Sequence, residues 1–452
     1  MKSVNPFTGK ELASYQELSI DEVNQKLALS QFVFQSFKKT DFAHRAELMK
    51  KVSVLLREKQ DYLAMIITSE MGKIISEAKA EIEKCAWVCD YYADNAADFL
   101  KDELIDNDAY KSCIVYEPIG TVLAIMPWNY PFWQVFRFAA PTVMSGNVGV
   151  LKHASNVSQC AIEIEQLFLE AGFDVGVFQS FLIGSDKVDY VINHEAIKAV
   201  TLTGSEYAGS KVAESAGKSI KKTVLELGGS DPFIILEDAD LEYAVDMAIK
   251  SRFLNCGQSC IAAKRFIVPK KLNKPFLALL MDRVENMKLG DPMDTSTQIG
   301  PMARVDLLEQ LDKQVDESIA NGAVLISGGA AFDLDKCLYT PTILADVVPG
   351  MPAYDEELFG PVASIISYDT IDDAIRIAND TVYGLGASVW TQDVKKGEQI
   401  ARRIEAGVVF VNDVVKSDPR LPFGGIKLSG YGRELSYLGI REFVNCKTLV
   451  IK

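Results

Sequence analysis

Apolar residues recur at helical spacing through the first hundred positions. Val23, Leu27 and Phe34 share one face, and stretches from about 42 to 63 and from 69 to about 100 keep the period with few breakers. Ser19-Ile-Asp-Glu22 opens the first helix as a capping box, the serine oxygen accepting an orphan amide and the glutamate reaching back to the serine amide. From 113 the period becomes that of strands. The β-branched runs CIVYEP and TVLAIM flank the turn Pro118-Ile-Gly120. Candidate strands follow at 146–151, 178–183, 198–202, 222–227 and 233–236, alternating with helical segments such as 157–171 and 206–217. A second alternating series has strands at 264–268, 322–326, 362–368, 385–390 and 407–411. Its helices fall at 273–285, 303–320, 371–379 and 394–405, and Thr370-Ile-Asp-Asp373 repeats the capping logic. Strands separated by helices predict crossover units and parallel sheets. The pattern therefore predicts two α/β domains, the first of a dinucleotide-binding type.

Length and charge narrow the reading. A chain of 452 residues exceeds what one hydrophobic core normally fills, and 48% hydrophobic with 24% charged residues describes an ordinary globular protein. A formal net charge of −15 argues against nucleic acid or an anionic membrane surface as partner, so any cationic pocket has to be local. MKSVNPFTGKEL lacks the apolar centre of a signal peptide, and no apolar run approaches a membrane span; a cytoplasmic location is expected. Eight cysteines, at 85, 89, 113, 160, 256, 260, 337 and 446, are too sparse for a disulfide scaffold. Cys85 and Cys89 lie four apart in a helical pattern without a histidine, which reads as packing, and no metal site is expected.

The chemistry concentrates in FLNCGQSCIAAKR, residues 253–265, which offers a cysteine nucleophile in a tight glycine-containing loop. Only His44, His153 and His194 are available, none near Cys260 in sequence, so a dyad would have to form through folding. A free thiol with a pKa of about 8.5 needs activation by a base, by backbone amides or by a nearby positive charge. MPWNYP at 126–131 and LELGGSDP at 225–232 are candidate partners, each on its own no more than a turn or a strand end. The fingerprint G-x-G-x-x-G is missing. In its place Gly204-Ser-Glu-Tyr-Ala-Gly209 opens a helix after the strand KAVTLT, where amides and the helix dipole favour a diphosphate. Lys152 ends the apolar run NVGVL, at the strand end where open α/β sheets bind ligands.

Asn129, Glu226 and Cys260, in PWN, E-L-G-G and F-x-N-x-G-Q-x-C segments in that order, resemble the signatures of the aldehyde dehydrogenase superfamily. The resemblance extends to EELFGPV at 356–362 and PFGGIKLSGYGRE at 422–434, and covers nearly the whole chain. It implies an α/β fold of two Rossmann-like domains with a small β oligomerisation element. Residues 1–107 and 126–230 would hold the dinucleotide, 231–430 the catalytic part, and 108–125 with 431–452 would pair with a neighbouring subunit in a homodimer or homotetramer. It also implies that Gly204, Ser205 and Gly209 meet the pyrophosphate, that Lys152 contacts the adenosine ribose, and that Trp128, Glu357 and Phe359 complete the cofactor site. Ser155 stands where a glutamate would repel a 2′-phosphate, so NADP is expected as acceptor, with NAD as the alternative. His153 departs from the proline common at that place.

The chemistry implied is attack of Cys260 on an aldehyde, a hemithioacetal whose oxygen meets Asn129 and the Cys260 amide, and a thioester hydrolysed with Glu226 as base. Glu434 resembles a second glutamate of proton traffic, and Cys256 is either a packing residue or an oxidative lock for Cys260. Arg137 together with KSDPRLPFGG at 416–425 resembles succinate-semialdehyde dehydrogenases of the short type, in which Arg137 and Ser417 would hold the far carboxylate; Trp133 and Phe132 would line the pocket. The competing readings are a broad-range enzyme for uncharged aldehydes, a cofactor-independent thiol acyltransferase or amidase, and a noncatalytic protein. A phosphorylating dehydrogenase is disfavoured for want of a cysteine–histidine pair.

Overall fold

Ser19 caps the helix Ile20–Phe37 as its sequence dictates: its Oγ accepts the Glu22 amide at 3.3 Å, and the Glu22 carboxylate accepts the Ser19 amide at 2.7 Å. Thr370 and Asp373 do the same for the helix Ile371–Asn379. The computed structural model describes all residues, Met1–Lys452. Two helical boundaries differ from the sequence reading. The 42–63 stretch divides into Phe42–Glu58 and Gln60–Met71, and the next helix starts only at Ile75 and runs to Phe99. The break at Gly72 is a left-handed helix cap, its amide donating to the Thr68 carbonyl at 3.0 Å, and tertiary packing presses on it as well. Its φ of +81° suits glycine, and a Cβ there would approach the Pro301 ring to 2.6 Å.

The first sheet has six strands in the order Gly430–Tyr431, Lys222–Glu226, Ile197–Thr203, Thr121–Met126, Val148–His153 and Phe178–Ser180. All run parallel except Gly430–Tyr431. Helices cover both faces, which is why its strands read as continuous apolar runs. Val122 and Ala124 face the larger core under the helices Phe42–Glu58, Ile75–Phe99 and Trp133–Met144, while Leu123 faces a smaller core with Val150 and Leu202.

The second sheet has seven strands in the order Val324–Ser327, Thr342–Ala345, Val362–Tyr368, Ala263–Pro269, Asp231–Ile235, Gly386–Trp390 and Val408–Val411. The strand expected at 233–236 thus belongs here and not with the first series. Val324–Ser327 is antiparallel to its neighbour, so the sheet is mixed. A third sheet stands apart, with Lys111–Pro118 between Val444–Ile451 and Glu103–Leu104. The expectation that all of 108–125 joins 431–452 in an oligomerisation element is corrected in its bounds: Thr121–Met126 is a central strand of the first sheet, and only Lys111–Pro118 pairs with Val444–Ile451. No helix is long and apolar enough to cross a membrane.

This topology places the site. Thr121–Met126, Ile197–Thr203 and Lys222–Glu226 are adjacent parallel strands, so the segments that follow their carboxyl ends emerge together. Cys260 lies three residues before Ala263–Pro269, in the loop that enters the second sheet beside Asp231.

Candidate active site

The helix Leu241–Phe253 ends in three consecutive left-handed residues, Asn255 (φ 54°), Cys256 (φ 53°) and Gly257 (φ +71°). Such a conformation costs a residue other than glycine on the order of 1 kcal/mol, so side chains must hold it. Glu77 accepts the Asn255 amide at 2.8 Å, Asn255 Nδ2 donates to the Asn129 carbonyl at 2.8 Å, and Gln258 Oε1 accepts the Ala303 amide at 2.9 Å. At 257 only glycine fits, since a Cβ would collide with the Gly360 carbonyl and the Arg252 guanidinium. Arg252, fully buried, donates to the carbonyls of Gly257 at 2.7 Å and Gly360 at 2.5 Å. One guanidinium therefore ties the cysteine loop to the segment that carries Phe359. The Asn, Gly and Gln of the motif are scaffold for the thiol.

Cys260, half-buried, lines two cavities. One, of about 270 Å³, is walled by Tyr130, Trp133, Arg137, Lys84 and Ser417; the other, of about 380 Å³, by Trp128, Asn129, Gly204, Ser205, Glu357 and Phe359. Burial pushes the thiol up to about 12, against the pull of Lys264 and Arg137, so the resting side chain is a neutral thiol near neutrality. Lys264 Nζ donates to the carbonyls of Ser259 and Cys260, each at 2.8 Å, and pairs with Glu357 at 3.2 Å. Cys256 packs into the core of the second sheet and lines neither cavity. That location gives the packing role and lends no support to an oxidative lock.

Asn129 turns its Nδ2 to the Gln258 carbonyl at 3.1 Å, while its own carbonyl accepts Lys73 Nζ at 3.0 Å. Lys73 is in buried ion-pair contact with Glu81, whose Oε1 accepts the amides of Phe132 at 2.9 Å and Trp133 at 3.0 Å where the helix Trp133–Met144 starts. The amide of Cys260 donates to no protein acceptor, which leaves it open beside Asn129. His153 pins the other end of this loop. Its Nε2 lies 2.8 Å from the Pro131 carbonyl, while its Nδ1 lies 3.2 Å from the Met126 carbonyl and accepts the Ala154 amide at 2.9 Å; the shorter carbonyl contact and the accepted amide assign the proton to Nε2.

Burial pulls His153 from 6.5 down to about 4. Between those values the unfolded chain binds the extra proton, so this contribution is complete above 6.5 and is lost as pH falls towards 4, about 3 kcal/mol in all. Denaturant titrations at neutral pH and near pH 4 are expected to show a smaller acid loss for His153→Gln than for the parent. Equal losses would contradict the neutral assignment.

Glu226 ends its strand with both carboxylate oxygens buried and unpartnered, 2% exposed, and lines neither cavity. Its Oε1 lies against Gly424, where a Cβ would come within 2.7 Å. Glu434, 6% exposed and so no surface charge, is in ion-pair contact with Arg137. Burial raises both glutamates, and the nearby Glu434 carboxylate raises Glu226 further. The two glutamates thus form a buried acidic pair behind the wall of the cavities. The carboxyl of Glu226 has to turn towards Cys260 to act on it.

On the larger cavity, Ser205 caps the helix Glu206–Lys218, its Oγ accepting the Ala208 amide at 3.3 Å and leaving first-turn amides free for an anion. Gly209 is corrected from a ligand to a packing residue, because a Cβ there would strike Leu227 at 2.6 Å. Trp128 and Phe359 meet edge to face at 5.9 Å, and Glu357 Oε1 accepts the Gly229 amide at 3.1 Å. Lys152, half-buried at the end of Val148–His153, and exposed Ser155, opening the turn Ser155–Val157, lie outside this cavity.

On the smaller cavity, Arg137 is not free. Besides Glu434, its Nη2 donates to Gln134 at 2.7 Å and Thr203 at 3.4 Å, and Arg137 itself sits on a wholly buried helix and not at a pocket mouth. Phe132 is corrected from a pocket wall to a core residue, fully buried with its ring centroid 6.4 Å from that of Phe136. Sequence reading missed Lys84, Lys264 and the Lys73–Glu81 pair. A signal existed for one of them: Glu81 falls on the apolar stripe of Ala78, Ile82, Cys85 and Cys89, where an unpaired carboxylate would be costly.

Comparison with known proteins accords with this geometry. Residues 1–449 match the model of the aldehyde dehydrogenase family. A probable NADP(+) succinate-semialdehyde dehydrogenase of Synechocystis sp. is 51% identical over 449 residues, 99% of each chain. The NADP(+) succinate-semialdehyde dehydrogenase 1 of Mycobacterium tuberculosis is 45% identical over 452 residues, again 99% of each. The crystal structure of succinic semialdehyde dehydrogenase from Streptococcus pyogenes in complex with NADP+ superposes with a TM-score of 0.98 at 38% identity, covering 100% of this chain and 99% of that one. With a cysteine held between two cavities and likeness along its full length, the chain belongs to the aldehyde dehydrogenase family.

Proposed function

We propose that the protein oxidises succinic semialdehyde to succinate with NADP as the preferred acceptor. The observation that carries this reading is the position of Cys260, whose side chain borders both a cavity with cationic and serine groups at its wall and a cavity that starts at a helix amino terminus. The donor set fits a nicotinamide dinucleotide: free first-turn amides for the diphosphate, the Glu357 carboxylate for ribose hydroxyls, Phe359 and Trp128 for the ring, and Lys152 for the adenosine end. Names and cofactors of the similar enzymes agree.

In the reaction, the Cys260 thiol releases its proton to water in the adjoining cavity as the sulfur bonds to the aldehyde carbon and the carbonyl electron pair moves to oxygen. Asn129 Nδ2 and the free Cys260 amide donate to that oxygen, a pair in which one donor is worth about 3 to 4 kcal/mol of transition-state stabilisation. Bound nicotinamide supplies the hydride acceptor that turns the hemithioacetal into a thioester on Cys260. Glu226 then takes a proton from water as the water oxygen bonds to the acyl carbon, and the carbon–sulfur bond breaks to return the thiolate. Glu434, held by Arg137, then takes that proton from Glu226, which returns Glu226 to the carboxylate. A cofactor-independent acyltransferase would leave the larger cavity without a task.

Residues 1–107 and 121–230 are assigned to cofactor binding and 231–430 to the catalytic part. The exposed strand Val444–Ile451 beside Lys111–Pro118 is assigned to pairing with further copies in a dimer or tetramer.

The test is a matrix of aldehydes against both cofactors, read by absorbance of the reduced ring. Succinic semialdehyde with NADP is expected to give the highest kcat/KM; no reduction with any aldehyde would overturn the proposal. Ser155→Glu places a carboxylate three residues after Lys152 and is expected to lower the NADP over NAD ratio of kcat/KM by roughly 10- to 100-fold through repulsion of the 2′-phosphate. An unaltered ratio would remove Ser155 from cofactor selection.

A further inference from the structure

A cavity built for an aldehyde that carries a carboxylate needs a cation whose charge is not already spent. Four cationic side chains line the smaller cavity: Lys84, Arg137, Lys250 and Lys416. Arg137 is in contact with Glu434 and bonded to Gln134, and Lys416 is exposed and pairs with Asp413 at 2.5 Å. Lys250 is exposed as well, on a helix rim beside bulk water. Lys84 differs from all three. Half-buried, it reaches in from the helix Ile75–Phe99 with Nζ 4.2 Å from the centroid of Trp133 and donates to Ser417 Oγ at 2.8 Å, without a carboxylate partner.

We infer that Lys84 is the specificity-determining cation of the substrate site, its ammonium together with Ser417 recognising the carboxylate of the aldehyde while Arg137 serves the Glu434 pair. The inference rests on the carboxylate-bearing substrate proposed above and names a residue for it. Ser417 has its hydroxyl hydrogen free to donate, because its oxygen is the acceptor for Lys84. The two groups thus present N–H and O–H donors to one point of the cavity wall. Trp133 fixes the ammonium by its ring face and keeps that end of the cavity apolar, which strengthens an ionic hydrogen bond made there.

The charged groups around Lys84 are uneven. Arg137 repels it; Glu81 and Asp418 attract it, but Glu81 is committed to Lys73 and Asp418 to Arg420, while burial keeps the neighbouring Cys85 a neutral thiol. Glu77, Lys250, Asp413 and Lys416 complete the ionisable lining. Burial and then Arg137 pull the ammonium down to about 8, so near neutrality Lys84 is a cation close to losing its proton. An arriving carboxylate supplies the counter-charge, and binding of that substrate weakens as pH rises through this value.

The experiment compares kcat/KM for succinic semialdehyde and for butanal, across pH, in the parent, Lys84→Met and Lys84→Arg. Activation of Cys260 is common to both aldehydes and cancels in the ratio. The ratio in the parent is expected to fall above pH 8. Lys84→Met is expected to lower it by roughly 10- to 100-fold at neutral pH, mainly through KM, and Lys84→Arg to restore much of it and remove the fall. A parent that prefers succinic semialdehyde, with that preference kept in Lys84→Met or independent of pH, sinks the role of Lys84 alone. Equal losses on both aldehydes would make Lys84 a scaffold residue and also overturn it. A parent without preference for succinic semialdehyde overturns the substrate proposal and this inference together. The pH profile of the parent stands whether or not the Met variant folds.

Discussion

Cys260→Ala is expected to abolish aldehyde oxidation, with kcat lowered by roughly four orders of magnitude or more, because no other side chain borders both cavities with a nucleophilic atom. Gln134 is the only other residue common to the two linings, and its amide is a poor nucleophile. The substitution deletes one sulfur from a loop whose shape depends on Asn255, Gly257, Gln258 and Arg252, so the fold and NADP affinity are expected to persist. Fluorescence titration with NADP alongside turnover separates the two effects. Turnover within tenfold of the parent would remove Cys260 from the chemistry.

Glu226→Gln is expected to divide the reaction in time. Hydride loss from the hemithioacetal asks nothing of Glu226, whereas hydrolysis needs a base, so a stopped-flow trace should show one equivalent of reduced cofactor per active site and then a steady rate roughly 10²- to 10⁴-fold below the parent. The buried, unpartnered carboxyl beside Glu434 supports the substitution, since a neutral amide resembles the protonated form that burial already favours there. In the parent, the hydrolytic step should quicken as pH rises through the raised pKa of Glu226 and level above it. A variant that turns over steadily without a burst would assign the base elsewhere.

Most of the fold was legible because its signals are local. Alternation of short apolar strands with helices returned most strands of both sheets but not Thr342–Ala345, and the capping boxes at Ser19 and Thr370 fall where the sequence puts them. The errors arose where tertiary contacts decide. Nothing before Gly72 announces that Pro301 will press on it, and Thr121–Met126 reads like its neighbour Lys111–Pro118 although the two end in different sheets. Residues of the site were legible through resemblance, but their partners were not. Arg137 sits on a wholly buried helix with Glu434 against it, and Gly209 packs over Leu227, contacts that no local pattern carries. Lys84 carries no motif at all. Its meaning comes from the approach of residues 333 positions apart in the chain, which only the folded molecule provides.

The account depends most on a covalent acyl group at one sulfur, and mass spectrometry of the quenched Glu226→Gln reaction tests that directly. After mixing with NADP and succinic semialdehyde, peptide mapping is expected to find a succinyl thioester on Cys260, in amount equal to the reduced cofactor formed and absent when NADP is omitted. Reduced cofactor without an acyl group on Cys260, or an acyl group on a different residue, would contradict it.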